Sequence, residues 1–147
     1  MENCFKLYIL FVTVCICCFA EKPKFSKDEE WKNKKFTSCC QNNQRINSSC
    51  YEEPNLCDFK TLNRTTMVKS YLFNTCPYTS HLPILFCAAG DKNHRRCCRR
   101  KLRRFNRGRC VRYCYPRKYI PPPTEEYYPC LNKVDDIIDC FREGMEP

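Results

Sequence analysis

The stretch CCRRKLRRFNRGRCVRYC, residues 97–114, holds both features that decide how this chain is read. It opens on an adjacent cysteine pair, runs eleven residues to Cys110, and reaches Cys114 three residues later. It also carries eight Lys or Arg residues and no acid. The cysteine pattern has a precedent upstream, where Cys39-Cys40 is followed after nine residues by Cys50 and after six more by Cys57. Both frames then continue alike. Eighteen residues lead to Cys76 and ten to Cys87 in the first, and fifteen lead to Cys130 and nine to Cys140 in the second. Each half is an adjacent pair, two close cysteines, a long gap, and two cysteines bracketing an apolar stretch. A duplicated six-cysteine unit accounts for this, although non-cysteine residues barely match between the halves.

Twelve cysteines over about a hundred residues, an even number, read as a disulfide framework made in an oxidising compartment. The N-terminus agrees. Residues 1–6 hold one lysine, residues 7–19 are apolar without a charge, and Cys18-Phe19-Ala20 has small residues at both recognition positions of a cleavage site. Residues 1–20 are therefore expected to be a signal peptide, too short in its apolar run to span a bilayer comfortably. Cys4, Cys15, Cys17 and Cys18 leave with it, and no second apolar segment approaches membrane length. The expected mature chain is secreted and extracellular. Asn47-Ser48-Ser49 and Asn63-Arg64-Thr65 are sequons that suit such a route, making Asn47 and Asn63 candidate glycosylation sites.

Residues 21–35 are rich in Lys and Glu, with Phe25 and Trp31 as the large apolar residues, and read as a flexible charged leader. Residues 36–145 form one cysteine-rich domain with halves at about 36–90 and 91–145. Its apolar content is thin, and each disulfide contributes on the order of 2–4 kcal/mol, so six of them dominate stability. The fold class is small, disulfide-rich and mainly α. In residues 131–141, Leu131, Val134, Ile138 and Phe141 recur at helical spacing, Ile137 widens the stripe, and Gly144 is a fitting stop. Residues 80–87 read as a helix with Ser80 as cap and Pro83 in its first turn. Residues 65–73 read as another, with Met67, Val68, Tyr71 and Leu72 as its apolar residues. The prolines at 116, 121, 122, 123 and 129 mark an extended loop.

Twelve cysteines allow on the order of ten thousand pairings. If residues 131–141 are helical, Cys130 and Cys140 lie roughly 15 Å apart along the axis and cannot bond each other. The same reasoning separates Cys76 from Cys87. Adjacent cysteines form strained bridges, so each member of a vicinal pair is expected to reach a different partner.

The cysteine pairs and the Cys110-x-x-x-Cys114 spacing resemble the DB module, a nematode extracellular domain with twelve cysteines. So do Phe86-Cys87-Ala88-Ala89-Gly90-Asp91-Lys92-Asn93-His94 before Cys97-Cys98, and the closing Ile137-Ile138-Asp139-Cys140-Phe141-Arg142-Glu143-Gly144. The likeness runs over residues 36–144 and gives every one of the twelve cysteines a place. Two departures are the basic density after Cys98 and a longer gap between Cys50 and Cys57. The resemblance implies an extracellular domain of six disulfides with no assigned activity.

The residues offer little for catalysis. His81 precedes an apolar turn and is expected to pack or cap; His94, near Asp91, is expected to make a structural hydrogen bond. Bridged cysteines leave no thiolate nucleophile. No phosphate loop, nucleophile elbow or cofactor motif occurs, and an oxidised even set favours bridges over zinc. An enzyme is not expected.

The positive signal is charge. The formal net charge is +10, and residues 92–118 alone hold thirteen Lys or Arg and no Asp or Glu. The dense part, Arg95, Arg96, Arg99, Arg100, Lys101, Arg103, Arg104, Arg107, Arg109 and Arg112, is a candidate polyanion-binding segment. Arg suits sulfate and phosphate because its planar fork bonds two oxygens at once. Outside the cell those anions belong to sulfated glycans or anionic membrane surfaces; nucleic acid is not expected. The competing expectation is a solvated face partly neutralised by Glu125, Glu126, Asp135, Asp136, Asp139 and Glu143. A convertase cut within residues 99–104 is a further reading. The alternative class is a small secreted effector, membrane-active or inhibitory. The membrane-active form needs Leu102, Phe105, Val111 and Tyr113 to make an apolar face beside the arginines; an inhibitor needs a protruding loop, for which residues 115–129 are the candidate.

Overall fold

A computed structural model of the chain describes residues 26–52, 54–102, 106–116 and 128–145. The expected signal peptide, the start of the leader, Arg103, Arg104, Phe105, Pro121 to Pro123, Glu125 and Glu126 lie outside them, as does the side chain of Arg107. The fold is mainly helical, and no strand occurs among the described residues.

Helix α1, Lys27–Gln41, begins inside the segment expected to be a flexible leader. A capping box is the reason. Ser26 Oγ accepts the Glu29 N–H at 3.2 Å, and the Glu29 carboxylate accepts the Ser26 N–H at 2.9 Å. Asp28, Glu29 and Glu30 suit the positive end of the helix, and Lys32 pairs with Asp28 at 2.7 Å. Phe36 and Cys40, four apart, are its buried face. Trp31 packs partly on the core beneath the Lys35 ammonium.

A short 3-10 helix, Ser48–Tyr51, is capped by Asn47 and precedes α2, Arg64–Leu72, capped by Asn63. Helix α3, Tyr78–Ala88, differs from expectation at both marker residues. Its N-cap is Pro77, and Ser80 lies in the first turn with its buried hydroxyl accepting the Asn47 N–H at 3.0 Å. Pro83 sits well inside the helix, where it supplies no N–H to the ladder. Helix α4, Arg95–Lys101, leads to a second 3-10 helix, Asn106–Cys114, then to the single turn α5, Tyr128–Leu131, and to α6, Val134–Gly144. The final helix therefore starts at Val134, three residues beyond the expected onset. Bonds from Asn132 N–H to Pro129 C=O and from Lys133 N–H to Cys130 C=O close a tight turn that leaves Leu131 in α5. The predicted stripe holds from there, since Val134, Ile137, Ile138 and Phe141 are all buried.

Six disulfides join the twelve cysteines: Cys39–Cys87, Cys40–Cys57 and Cys50–Cys76, then Cys97–Cys140, Cys98–Cys114 and Cys110–Cys130. Numbered within its own half, each set joins the first cysteine to the sixth, the second to the fourth and the third to the fifth. None crosses between halves. Each vicinal pair divides between two partners. The first-to-sixth bridges tie α1 to α3 and α4 to α6, pairs of helices that also pack on each other.

The halves meet without a covalent tie beyond the chain itself. Helix α3 packs on α6. Gly90 and Asp91 take positive φ of 57° and 63°, reversing the chain after the buried Ala88 and Ala89. His94 then points inward, its Nε2 2.8 Å from the Ala89 carbonyl oxygen and its ring edge-on to Phe141 at 5.1 Å. From α6, Arg142 Nη2 donates to the Phe59 carbonyl in the first half, and its guanidinium lies over the Phe59 ring. That ring rests on Phe36 at 4.5 Å. Asp135 accepts the Arg64 N–H at 2.7 Å.

Candidate polyanion-binding surface

Helix α4 arranges the basic segment around its axis. At about 100° per residue, Arg95, Arg96, Arg99 and Arg100 fall on one face, and Cys98 turns into the core. Arg96, Arg99 and Arg100 are exposed. Arg95 is half-buried, with its guanidinium over the Tyr115 ring at 5.3 Å. The pairs 95/99, 96/99 and 96/100 stand at like-charge neighbour spacings, each destabilising by roughly 0.2–0.5 kcal/mol. An anion laid across this face would relieve that repulsion.

Acids of α6 close on the opposite edge. Lys101 Nζ lies 2.7 Å from Glu143 and 3.5 Å from Asp139, and Arg100 reaches Glu143 at 3.5 Å. Burial pulls the Lys101 pKa down, but the hydrogen bonds and charges of Glu143 and Asp139 outweigh it and leave the ammonium above its ordinary value. The Lys101 hydrogen bond holds the Glu143 carboxyl below its ordinary value against a smaller opposing effect of burial, helped by the charges of Lys101 and Arg100. The two other described acids face elsewhere: Asp136 pairs with Lys133 at 3.0 Å and Asp135 holds Arg64. Arg96 and Arg99 make no ion pair with a described residue. Arg109 and Arg112 are exposed on the second 3-10 helix.

The described apolar residues among the arginines do not make an outward face. Leu102 and Val111 are in the core and Tyr113 packs partly against it. Along α2 the structure buries Met67 and Ser70 and leaves Tyr71 and Leu72, two of the helix's apolar residues, exposed. Together with Phe73 and Tyr78 they form surface that sequence reasoning missed, because aromatic and leucine side chains in a helix are expected to point inward.

Neither histidine is placed for proton transfer. Ser70 Oγ donates its hydrogen to the Met67 carbonyl at 2.9 Å, so His81 Nε2, 3.3 Å from Ser70 Oγ, is the donor to that hydroxyl oxygen. This is the reverse of a base activating a nucleophile, and the serine is buried. Burial holds the His81 pKa down. At His94 a carbonyl can only accept, so Nε2 carries a proton in a structural bond. All twelve described cysteines are bridged.

These features define a class: a small helical domain of two similar six-cysteine units held by six disulfides. A family model described as DB module matches residues 39–141, and the chain belongs to that family. It is a cysteine-rich, extracellular-type domain with no known catalytic activity. No curated protein and no solved structure matches the chain. No helix among the described residues is long and apolar enough to cross a membrane.

Proposed function

We propose that the chain is a secreted, non-enzymatic module that works outside the cell by binding, with the arginine face of α4 contacting a sulfated polyanion. The carrying observation is Arg95, Arg96, Arg99 and Arg100 on one helical face, where the α6 acids engage Lys101 and the adjoining Arg100 and leave Arg96 and Arg99 without an ion pair to a described residue. Two planar guanidinium forks on neighbouring turns match sulfates spaced along a glycan chain. The six bridges suit an oxidising exterior, where such glycans are found.

The test is elution of the refolded protein from immobilised heparin and from a plain cation exchanger of matched charge. A variant carrying Arg96→Gln, Arg99→Gln and Arg100→Gln runs alongside. The expected result is later elution from heparin, with the excess lost in the variant. Equal elution from both matrices would mean that the arginines act as bulk charge and that the face is a solvated one.

A further inference from the structure

The exposed apolar surface of the first half and one of its sequons are neighbours. Tyr71, Leu72, Phe73 and Tyr78 leave 60, 68, 73 and 52 % of their surfaces exposed. Three are consecutive at the end of α2 and the fourth opens α3. Four large apolar side chains left this exposed within eight residues of chain call for something that covers them. A second copy is disfavoured by the +10 formal charge each chain carries.

Two links bring Asn47 to this surface. The 3-10 helix that Asn47 caps is bridged by Cys50–Cys76 to the turn between Phe73 and Tyr78, with the Cα atoms 4.7 Å apart. The Asn47 N–H also donates to Ser80 Oγ, two residues beyond Tyr78, at 3.0 Å. Asn47 is exposed; its Oδ1 accepts the Ser49 N–H at 3.0 Å, and its Nδ2 has no hydrogen bond to a described residue. Asn63 contrasts on each point. It is half-buried, its Nδ2 donates to the Thr61 carbonyl at 3.0 Å, and it caps the far end of α2, about 13 Å from Leu72 along the axis.

We propose that Asn47 carries an N-linked glycan whose first sugars lie over Tyr71, Leu72, Phe73 and Tyr78 and shield them from water. The inference rests on the secretory reading above. In the attachment step Nδ2 attacks the anomeric carbon of a polyprenyl-diphosphate-linked oligosaccharide. The N–C bond forms as the C–O bond to the diphosphate breaks; the diphosphate leaves with the electron pair and the amide nitrogen gives up one proton. Sugar rings present C–H faces to aromatic rings and hydroxyls to water, so the glycan turns apolar surface into a soluble one.

The test uses the full chain expressed in secretory eukaryotic cells as wild type, Ser49→Ala and Thr65→Ala. Each substitution removes a sequon hydroxyl and keeps the asparagine cap. Peptide mapping after enzymatic deglycosylation in heavy-oxygen water reads occupancy, and fluorescence of an apolar-surface dye reads shielding. The expected results are an occupied Asn47, dye binding raised about twofold in Ser49→Ala, and no change in Thr65→Ala. Adding Leu72→Ser and Phe73→Ser to Ser49→Ala returns the signal to the wild-type level. Trimming the glycan from folded wild-type protein gives the same comparison without substitution. Export with Asn47 bare overturns the proposal alone. An occupied Asn47 with unchanged dye binding after trimming overturns the shielding, as does an equal rise in Thr65→Ala. An intracellular chain bare at both asparagines overturns the secretory reading and the proposal with it.

Discussion

Gly144 lies so close to the His94 ring that a β-carbon there would sit 2.5 Å from Nδ1 and 2.6 Å from Cε1. The ring cannot step aside, because the Ala89 carbonyl holds one side and Phe141 meets another. Gly144→Ala is therefore expected to cost about 1–3 kcal/mol in urea unfolding with the bridges intact. Adding His94→Ala removes the obstacle, so the double variant loses less than the sum of the singles. Equal or greater loss would mean that the ring is not what excludes the methyl group. The Glu143–Lys101 pair gives a pH dependence with two limits. Glu143 has a lowered pKa, so its contribution is present above the unfolded value and lost as pH falls through the folded one. Lys101 has a raised pKa, so its contribution is present below the unfolded value and lost as pH rises through the folded one. Both residues contribute at neutral pH. Glu143→Gln is expected to lower stability there by about 0.5 kcal/mol, as for a solvent-exposed pair, and to lose less than the wild type on acidification below the ordinary Glu range. Urea unfolding at neutral and acid pH reads both.

Among the elements, the bridges differ in how much protein covers them. Cys39 and Cys97, the leading members of the vicinal pairs, are only partly buried, whereas the other ten cysteines are buried. Thiolate attack needs access to a sulfur, so Cys39–Cys87 and Cys97–Cys140 are expected to open first under mild reductant. Their sequence separations of 48 and 43 are also the longest, and loop closure assigns each about 4 kcal/mol, against about 3 for the separation of 17 at Cys40–Cys57. Alkylation at timed intervals followed by peptide mass analysis gives the order; prior labelling of Cys40 or Cys98 would contradict it. The elements also mark what could be read from sequence. Helix α2 was legible within a residue, and the apolar stripe of α6 was legible because 3.6-residue periodicity survives wherever one face is buried. Helix α1 was hidden by its Lys- and Glu-rich composition, although Ser26 and Glu29 carried a capping signal. The density of the basic segment was plain in the sequence. Its division into the open Arg96 and Arg99 and an edge at Arg100 and Lys101 that meets acids depends on α6 arriving beside α4, a contact that local pattern does not encode.

For the whole molecule the consequence of the bridge pattern is that two stapled units are joined by one strand of chain and a noncovalent joint. The family-like runs around Ala89 and Gly144 form that joint, with His94 between them. Arg142 is its polar pin: the guanidinium reaches the first half at the Phe59 carbonyl, while its buried Nε has no hydrogen-bond partner among the described residues. A specific protease site inserted between Asp91 and Lys92 tests the arrangement. After cutting, the pieces are expected to stay together in native gel filtration and to separate on a denaturing gel without reductant, each retaining three bridges. A single unreduced species under denaturation would require a bridge across the halves and would refute the connectivity. Arg142→Ala in the cut protein leaves the Phe59 carbonyl unpaired and removes the stacked guanidinium, a loss of about 1–3 kcal/mol. Because the joint has no covalent tie after cutting, that loss is expected to appear directly as dissociation, roughly fivefold to a hundredfold at 1.4 kcal/mol per decade. If Arg142→Ala leaves the cut pieces as tightly associated as before, the apolar contact of α3 with α6 carries the joint and the arginine does not.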